Sequence, residues 1–285
     1  MPAVFDDAWV EVDGLRLHYL HAGGDSDATP VVLLHGGIVD SAALSWGGVV
    51  GSLAADRPVY ALDFAGYGES DDPPRTPTTA FHVDTLCGFV DALGLGRVHL
   101  VGLSMGGGVA LGTALDRPQS VDRLVLVNSH GLGRELPRGR ASWLLARMPL
   151  LNRFNVTLLR HSRWYAAAGL ASLVADPDAL PPGLVDEFQA LVRRPNAGAA
   201  FRAWRDDEVT RNGWRTCYLD RLGEVGAPTL LVHGAEDGVV PVYWSVRAAD
   251  RIPTARAVVL EACGHWPPRE RPTEFVEHVR SFLTD

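Results

Sequence analysis

Residues 98–108 read Val-His-Leu-Val-Gly-Leu-Ser-Met-Gly-Gly-Gly. An apolar run, Val98 to Val101, leads into Gly102-Leu103-Ser104-Met105-Gly106, and small residues open a helix-like segment after it. The pattern is strand, G-x-S-x-G, helix. Such a turn is so sharp that its central residue takes a strained backbone conformation and projects its side chain above the sheet edge. Glycines flank it because a Cβ there would collide with the adjoining strand and helix. Ser104 is therefore the candidate nucleophile. An ordinary tight turn would look the same in isolation, so the reading depends on a base and an acid elsewhere in the chain.

Outward from that stretch the chain alternates short apolar runs with helical spacing. Ala8 to Val12 and Leu15 to His21 flank Asp13-Gly14, the signature of a β-hairpin. Pro30 to Leu34, Pro58 to Leu62, Arg97 to Leu103 and Arg123 to Asn128 are continuous apolar runs, as expected of strands covered on both faces. Helical spacing lies between them, over about Ala42 to Ala55 and Thr78 to Leu93, and follows the central strand over Met105 to Leu115. From Ser129 to about Arg215 no strand-like run occurs. The rhythm returns with Pro228 to His233, a helix over Val242 to Arg251, a strand Arg256 to Leu260 and a last helix Pro272 to Leu283. Alternating β and α predicts a mostly parallel sheet with helices on both faces, the middle segment being an insertion.

Composition narrows the function. The chain has 285 residues, 47% of them hydrophobic, enough for one large domain or a domain with an insertion. A formal net charge of −8 argues against a general nucleic-acid binder. The cationic residues are all Arg, so lysine chemistry such as Schiff-base formation is excluded. Cys87, Cys217 and Cys263 are scattered, with neither metal-ligand spacing nor a disulfide framework. No metal or organic cofactor is expected. Residues 1–12 show no basic-then-apolar leader and no long apolar span occurs, so a soluble cytoplasmic protein is expected.

Ligands of such sheets bind at the carboxyl ends of the strands. His35-Gly36-Gly37, Asp63, Ser104, Asn128, His233-Gly234-Ala235-Glu236-Asp237 and Cys263-Gly264-His265 lie there. One Ser, one strand-end Asp and one His after the last strand follow in that order.

With these motifs in hand, the chain resembles an α/β-hydrolase over essentially its full length. The order Ser, Asp, His is that fold's order. HGAEDGVVP resembles the family's acid-bearing loop, GHWPPRERPTEF its His-bearing loop, and DFAGYGES the loop after its fourth strand. The resemblance implies the α/β-hydrolase fold: a mostly parallel eight-stranded sheet, with a core of residues 1–129 and 215–285 and a helical cap inserted at 130–214. It implies a catalytic triad of Ser104, His265 as base and Asp237 as the group orienting that base. An oxyanion hole would use the backbone N–H groups of Gly37 and Met105. His35 and Asp63 are expected to brace loops. Asn128 occupies a strand end where some relatives carry the acid, but as an amide it leaves Asp237 the better candidate. Glu236 is expected to be a surface contact, His233 a weaker candidate base than His265, and Cys263 a packing residue.

Ser rather than Asp at position 104 argues against the carboxylate-nucleophile epoxide hydrolases and haloalkane dehalogenases. The leading expectation is a serine esterase acting on a small-molecule carboxylic ester. The second is a C–C bond hydrolase like those that cleave ring-fission products. For it speak HGG, Trp266 after His265, and cap arginines, Arg202 among them, that could bind a substrate carboxylate. Against it stand Ile38-Val39-Asp40 where that family usually has Gly-Pro-Gly, and Leu103 where it usually has Asn. A non-catalytic ligand receptor on the same fold is the third.

The insertion carries seven Arg (134, 138, 140, 147, 153, 160, 163) against one Glu between residues 134 and 163, about +6, leaving the remainder at about −14. Trp143, Leu144, Leu145, Met148, Leu150, Leu151, Phe154, Leu158, Leu159 and Trp164 interleave with them, and Trp204 and Trp214 follow. A solvated Arg face over a cap core is the preferred reading. A basic amphipathic surface for an acidic membrane or lipid-like substrate is the alternative.

Overall fold

Asp13 and Gly14 both take positive φ, 49° and 78°, and so turn β1 (Asp6–Val12) back on β2 (Leu15–Ala22) in a computed structural model that describes residues 5–24, 26–137 and 139–284. Arg138, the side chains of Leu150 and Leu151, and the first four residues of the N-terminal stretch lie outside the described residues. The strands that follow are β3 (Val31–Leu34), β4 (Val59–Leu62), β5 (Val98–Leu103) and β6 (Val121–Val127). A two-residue pair, β7 (Val209–Thr210) and β8 (Gly213–Trp214), precedes β9 (Thr229–Gly234) and β10 (Ala255–Leu260).

Eight of them form one sheet in the order β1-β2-β4-β3-β5-β6-β9-β10. Pairing is parallel from β4 to β10, and β2 runs against its neighbours. The mostly parallel sheet expected from the strand rhythm, with the eight strands that the resemblance implies, is therefore present.

Alternate residues of the central strands feed opposite faces, the period-2 consequence of the pleat. Val32, Leu34, Leu100, Leu124 and Leu126 join one apolar cluster; Val31, Leu33, Val101, Val125 and Val127 join the other. On the first face pack α3 (Thr79–Ala92) and α4 (Met105–Asp116), on the second α1 (Ala42–Trp46) and α2 (Val50–Leu53). Thr78 caps α3 by accepting the Phe81 N–H. The single helix expected over 42–55 is broken in two. Gly47 and Gly48 interrupt it, and α1 starts at Ser41, whose hydroxyl accepts the Leu44 N–H.

Between β6 and β9 the chain contributes nothing to the main sheet. It forms α5 (Arg140–Ala146), α6 (Pro149–His161), α7 (Arg163–Ala171), α8 (Leu184–Arg193) and α9 (Ala199–Glu208). The expectation of no strand in this stretch is corrected by β7 and β8. The pair is one rung of a hairpin, too short for alternation to show in sequence. After β9 come α10 (Val242–Ala249), α11 (Pro267–Glu270) and α12 (Pro272–Thr284). No helix among the described residues is long and apolar enough to cross a membrane.

Candidate active site

Ser104 stands at φ 53°, ψ −116°, between the end of β5 and the start of α4. Its neighbours show why only glycine fits there. A Cβ on Gly102 would lie 2.3 Å from the Gly106 carbonyl oxygen, and one on Gly106 would lie 2.5 Å from the carbonyl oxygens of Leu34 and His35. These are backbone atoms held by the sheet and helix, so neither can yield. The Ser104 N–H bonds Val127 O at 2.9 Å, and the Ser104 carbonyl accepts from His130 N at 3.0 Å. The turn is thus pinned between β5 and β6.

Around it lies a cavity of about 510 Å³ whose wall includes Ser104, His265, Gly37, Met105, Leu103 and Trp266. Ser104 and His265, the candidate nucleophile and base, and Gly37 and Met105, the oxyanion candidates, thus share one cavity. Met105 opens α4, where a backbone N–H has no carbonyl four residues back to bond and the helix dipole is positive. Gly37 is covered by Phe201 from α9; a Cβ on it would be 2.6 Å from the Phe201 ring.

His265 Nδ1 meets Asp237 Oδ2 at 2.8 Å, so Nε2 is the ring nitrogen that Asp237 does not engage. Asp237 is thoroughly engaged. The Asn128 amide donates to Oδ2 at 2.6 Å, and the N–H groups of Val239 and Val240 donate to Oδ1 at 2.7 and 3.1 Å. Burial alone would raise its pKa. The His265 charge and the hydrogen bonds from His233, His265 and Asn128 outweigh burial and hold the carboxyl well below the usual carboxylate range.

The remaining strand-end residues fall into supporting places. His35 donates from Nδ1 to Gly36 O at 2.8 Å and accepts the Phe64 N–H on Nε2 at 3.1 Å, so both ring nitrogens are spent on loops. Asp63 accepts from Ala42 N, His18 Nδ1 and Glu69 N at 2.6, 2.7 and 3.0 Å. His233 is fully buried behind Asp237, its ring held by Ser245 Oγ at 2.7 Å and Val240 O at 3.0 Å. Cys263 is buried, and burial with the nearby Glu270 carboxylate pushes its thiol pKa up. Glu236 is exposed.

One expected site residue is misplaced. Arg202 does not line the Ser104 cavity; it faces a separate recess with Arg153 and Arg160. The reason is helical pitch: Phe201 and Trp204 of α9 point into the cavity, and Arg202 is turned about 100° from Phe201. No Arg lines the cavity among the described residues.

Sequence reading missed several supports. Asp40, buried, accepts from Gly36 N at 2.9 Å and from Ser45 Oγ, which in turn accepts from Trp266 Nε1 at 3.2 Å. This chain ties the His265 loop to the Gly37 loop. Burial raises the Asp40 pKa against the opposing pull of His35 and these donors. Glu270 accepts from Trp266 N on one oxygen and from Gly264 N and Ala175 N on the other, each at 2.8 Å, bracing the His265 loop and joining it to the insertion. No local motif marks either acid. Among the described residues no three His, Cys, Asp or Glu side chains are placed to hold a metal ion.

This geometry has counterparts in known proteins. The model of the alpha/beta hydrolase fold family matches residues 29–272. The chain belongs to the α/β-hydrolase fold family. This α/β-hydrolase is 30% identical over 275 residues to the 2-hydroxymuconate semialdehyde hydrolase of Pseudomonas sp. strain CF600, covering 95% of this chain and 92% of that protein. Among solved structures it resembles a meta-cleavage product hydrolase of Pseudomonas fluorescens IP01, with a TM-score of 0.81, 26% identity and 97% of each chain covered. A carboxylesterase of Bacillus subtilis shares the fold at a TM-score of 0.79 and 24% identity, with 99% of this chain and 92% of that one covered. The hydrolase fold and the hydrolase class read from the sequence thus stand.

Proposed function

We propose that this α/β-hydrolase cleaves a carboxylic ester of a small or medium apolar substrate through an acyl-enzyme. Ser104 Oγ attacks the carbonyl carbon while its proton passes to His265 Nε2. The tetrahedral oxyanion rests on the N–H groups of Gly37 and Met105 at the positive end of α4. Collapse breaks the C–O bond, and the alcohol leaves with the proton from His265. Water activated by the same imidazole then releases the acid. Asp237 holds the imidazole orientation and offsets its charge as it forms.

The observation that carries the ester reading is the cavity wall. It combines Ser104 and His265 with Leu103, Leu159, Phe188 and Trp244, and no Arg among the described residues. Such a wall favours an uncharged acyl group over one bearing a carboxylate, which would lose its hydration with no cation to replace it. C–C bond cleavage of a ring-fission product is the second reading, favoured by the activity named for the Pseudomonas relatives.

A panel of p-nitrophenyl acyl esters against a ring-fission dienoate separates the two. The expected result is turnover of the esters, lost by at least about 1,000-fold in Ser104→Ala, and labelling of Ser104 by a fluorophosphonate. Cleavage of the dienoate with every ester left intact would reverse the order. Full activity in Ser104→Ala would remove the serine mechanism altogether.

A further inference from the structure

Helix α6 has two working sides. Asn155 and Leu159, four residues apart, face the Ser104 cavity; Arg153, Val156, Thr157 and Arg160 face a second recess of about 350 Å³, closed by Asn196, Ala197 and Arg202. Three arginines therefore line one hollow.

They are short of counter-charge. Three other arginines of the cap pair with acids: Arg163 with Asp186 at 3.0 Å, Arg205 with Asp206 at 2.9 Å, and Arg194 with Glu69. The Arg153 side chain has no hydrogen-bond or ion-pair partner among the described residues. Arg160 spends Nε and one Nη on the carbonyls of Val192 and Arg194, 2.9 and 3.1 Å away at the C-terminal end of α8. Its other Nη remains. Among the described residues Arg202 has only a 3.4 Å hydrogen-bond contact, with Ala197 O. Asn196 of the recess holds Asp72, and Asp206 pairs with Arg205. Burial lowers the Arg202 pKa, and the charges of Arg205, Arg160 and Arg153 lower it further against the opposing charge of Asp206.

We propose that this recess is an anion-binding site, formed by Arg153, Arg160 and Arg202, that takes a phosphate group. Repulsion among three guanidiniums is relieved by an anion, and their N–H groups suit phosphate oxygens, to which arginine donates two parallel hydrogen bonds. The phosphate belongs either to a small soluble molecule or to a lipid headgroup. Phe154, 59% exposed beside Arg153, and Trp164, 78% exposed on the next helix, would lie against acyl chains in the second case. The site is separate from the proposed ester chemistry: α6 and α9 stand between it and Ser104.

The test is calorimetric titration of the full-length protein with inorganic phosphate at low ionic strength, with hydrolysis measured alongside. Saturable binding is expected, weakened at least about tenfold in the double variant Arg153→Ala/Arg202→Gln and unchanged in Arg163→Ala, which removes the same kind of charge elsewhere on the cap. Circular dichroism and thermal melting of the double variant establish that it folds. No saturable binding of phosphate up to tens of millimolar overturns the site, as does equal loss in Arg163→Ala. Co-sedimentation with phosphatidylglycerol but not phosphatidylcholine vesicles, competed by phosphate, assigns the site to a lipid headgroup. Phosphate binding without vesicle association assigns it to a soluble phosphate. Vesicle association insensitive to both phosphate and the double variant counts against the recess.

Discussion

The Asn128 amide and the His265 imidazole converge on one oxygen, Asp237 Oδ2, at 2.6 and 2.8 Å. Asn128 also holds Gly264 O at 3.1 Å and, through Oδ1, accepts from Gly234 N at 3.3 Å. It thus fastens the ends of β6 and β9 to the loop carrying His265. Asn128 itself sits at φ 43°, a left-handed conformation that Asn tolerates better than most residues.

Asn128→Ala should therefore lower kcat by about 10- to 100-fold with little change in KM, since a hydrogen bond to a charged group contributes roughly 1.5–3 kcal/mol. Asn128→Asp should cost more, because a second carboxylate would face Asp237 in place of a donor. Steady-state kinetics of both variants against wild type check this. Equal activity of the Asp variant and wild type would show that Asp237 does not need the amide.

What could be read from sequence and what could not follows a physical line. Ser104, Asp237 and His265 each stand in a local turn motif, since each must leave a strand end at a set angle. Asn128 and Glu208 act through partners that folding brings to them. Asn128 meets Asp237 across 109 residues and Glu208 meets Thr79 across 129. No window of sequence contains such a pair. Arg202 is expected at the site as a cap cation able to bind a substrate carboxylate, but it faces the second recess while Phe201 and Trp204 face the cavity. A helix separates consecutive residues by about 100°, so the neighbours' face was not its own. The division of one expected helix into α1 and α2 was visible in Gly47-Gly48, which apolar spacing alone ignores.

Gly37 offers a second test. A Cβ there would reach within 2.6 and 2.8 Å of two atoms of the Phe201 ring, itself stacked on Trp204 with centroids 5.6 Å apart. Gly37→Ala should shift the Gly37 N–H out of line and reduce kcat by up to about 100-fold, the scale of one lost oxyanion donor. Phe201→Leu in the same chain should restore much of the loss by making room for the methyl group. Absence of rescue, with both variants folded, would place the fault in the backbone conformation and not in the contact.

His82 should make the protein acid-sensitive. It is fully buried among Phe64, Phe81 and Tyr67, and neither ring nitrogen has a partner among the described residues. Burial lowers its pKa from 6.5 to about 3. The unfolded chain therefore binds a proton that the folded chain refuses below pH 6.5. Stability is full above that value and falls as pH drops toward 3. By about pH 4.5 the loss from this group is roughly 2–3 kcal/mol. His82→Phe should remove that slope, seen as a smaller difference between urea midpoints at neutral and acid pH than in wild type. The same acid loss in the variant would assign the sensitivity to other groups.

Glu208 is the buried joint between α9 and the core. Its carboxylate accepts from Thr79 Oγ1 at 2.7 Å and from Thr216 N and Oγ1 at 2.9 and 2.5 Å, and it lies 3.5 Å from His130 Nε2. Burial opposes its ionisation, but His130 and the two threonines prevail and bring its pKa from 4.5 down to about 2. Here the folded pKa is depressed for an acid. The stabilisation is fully present above pH 4.5 and is lost as pH falls toward 2. Glu208→Gln should cost about 3 kcal/mol near neutral pH, the scale of breaking one side of a buried charged network. The gap to wild type should narrow as pH is taken below 4.5. Because His130 lines the Ser104 cavity against Trp204 and Trp214, KM should rise along with the loss of stability. Urea titrations at neutral and acid pH, with kinetics on the same samples, test both. A gap that stays constant with pH would mean that Glu208 acts by packing and not as a carboxylate.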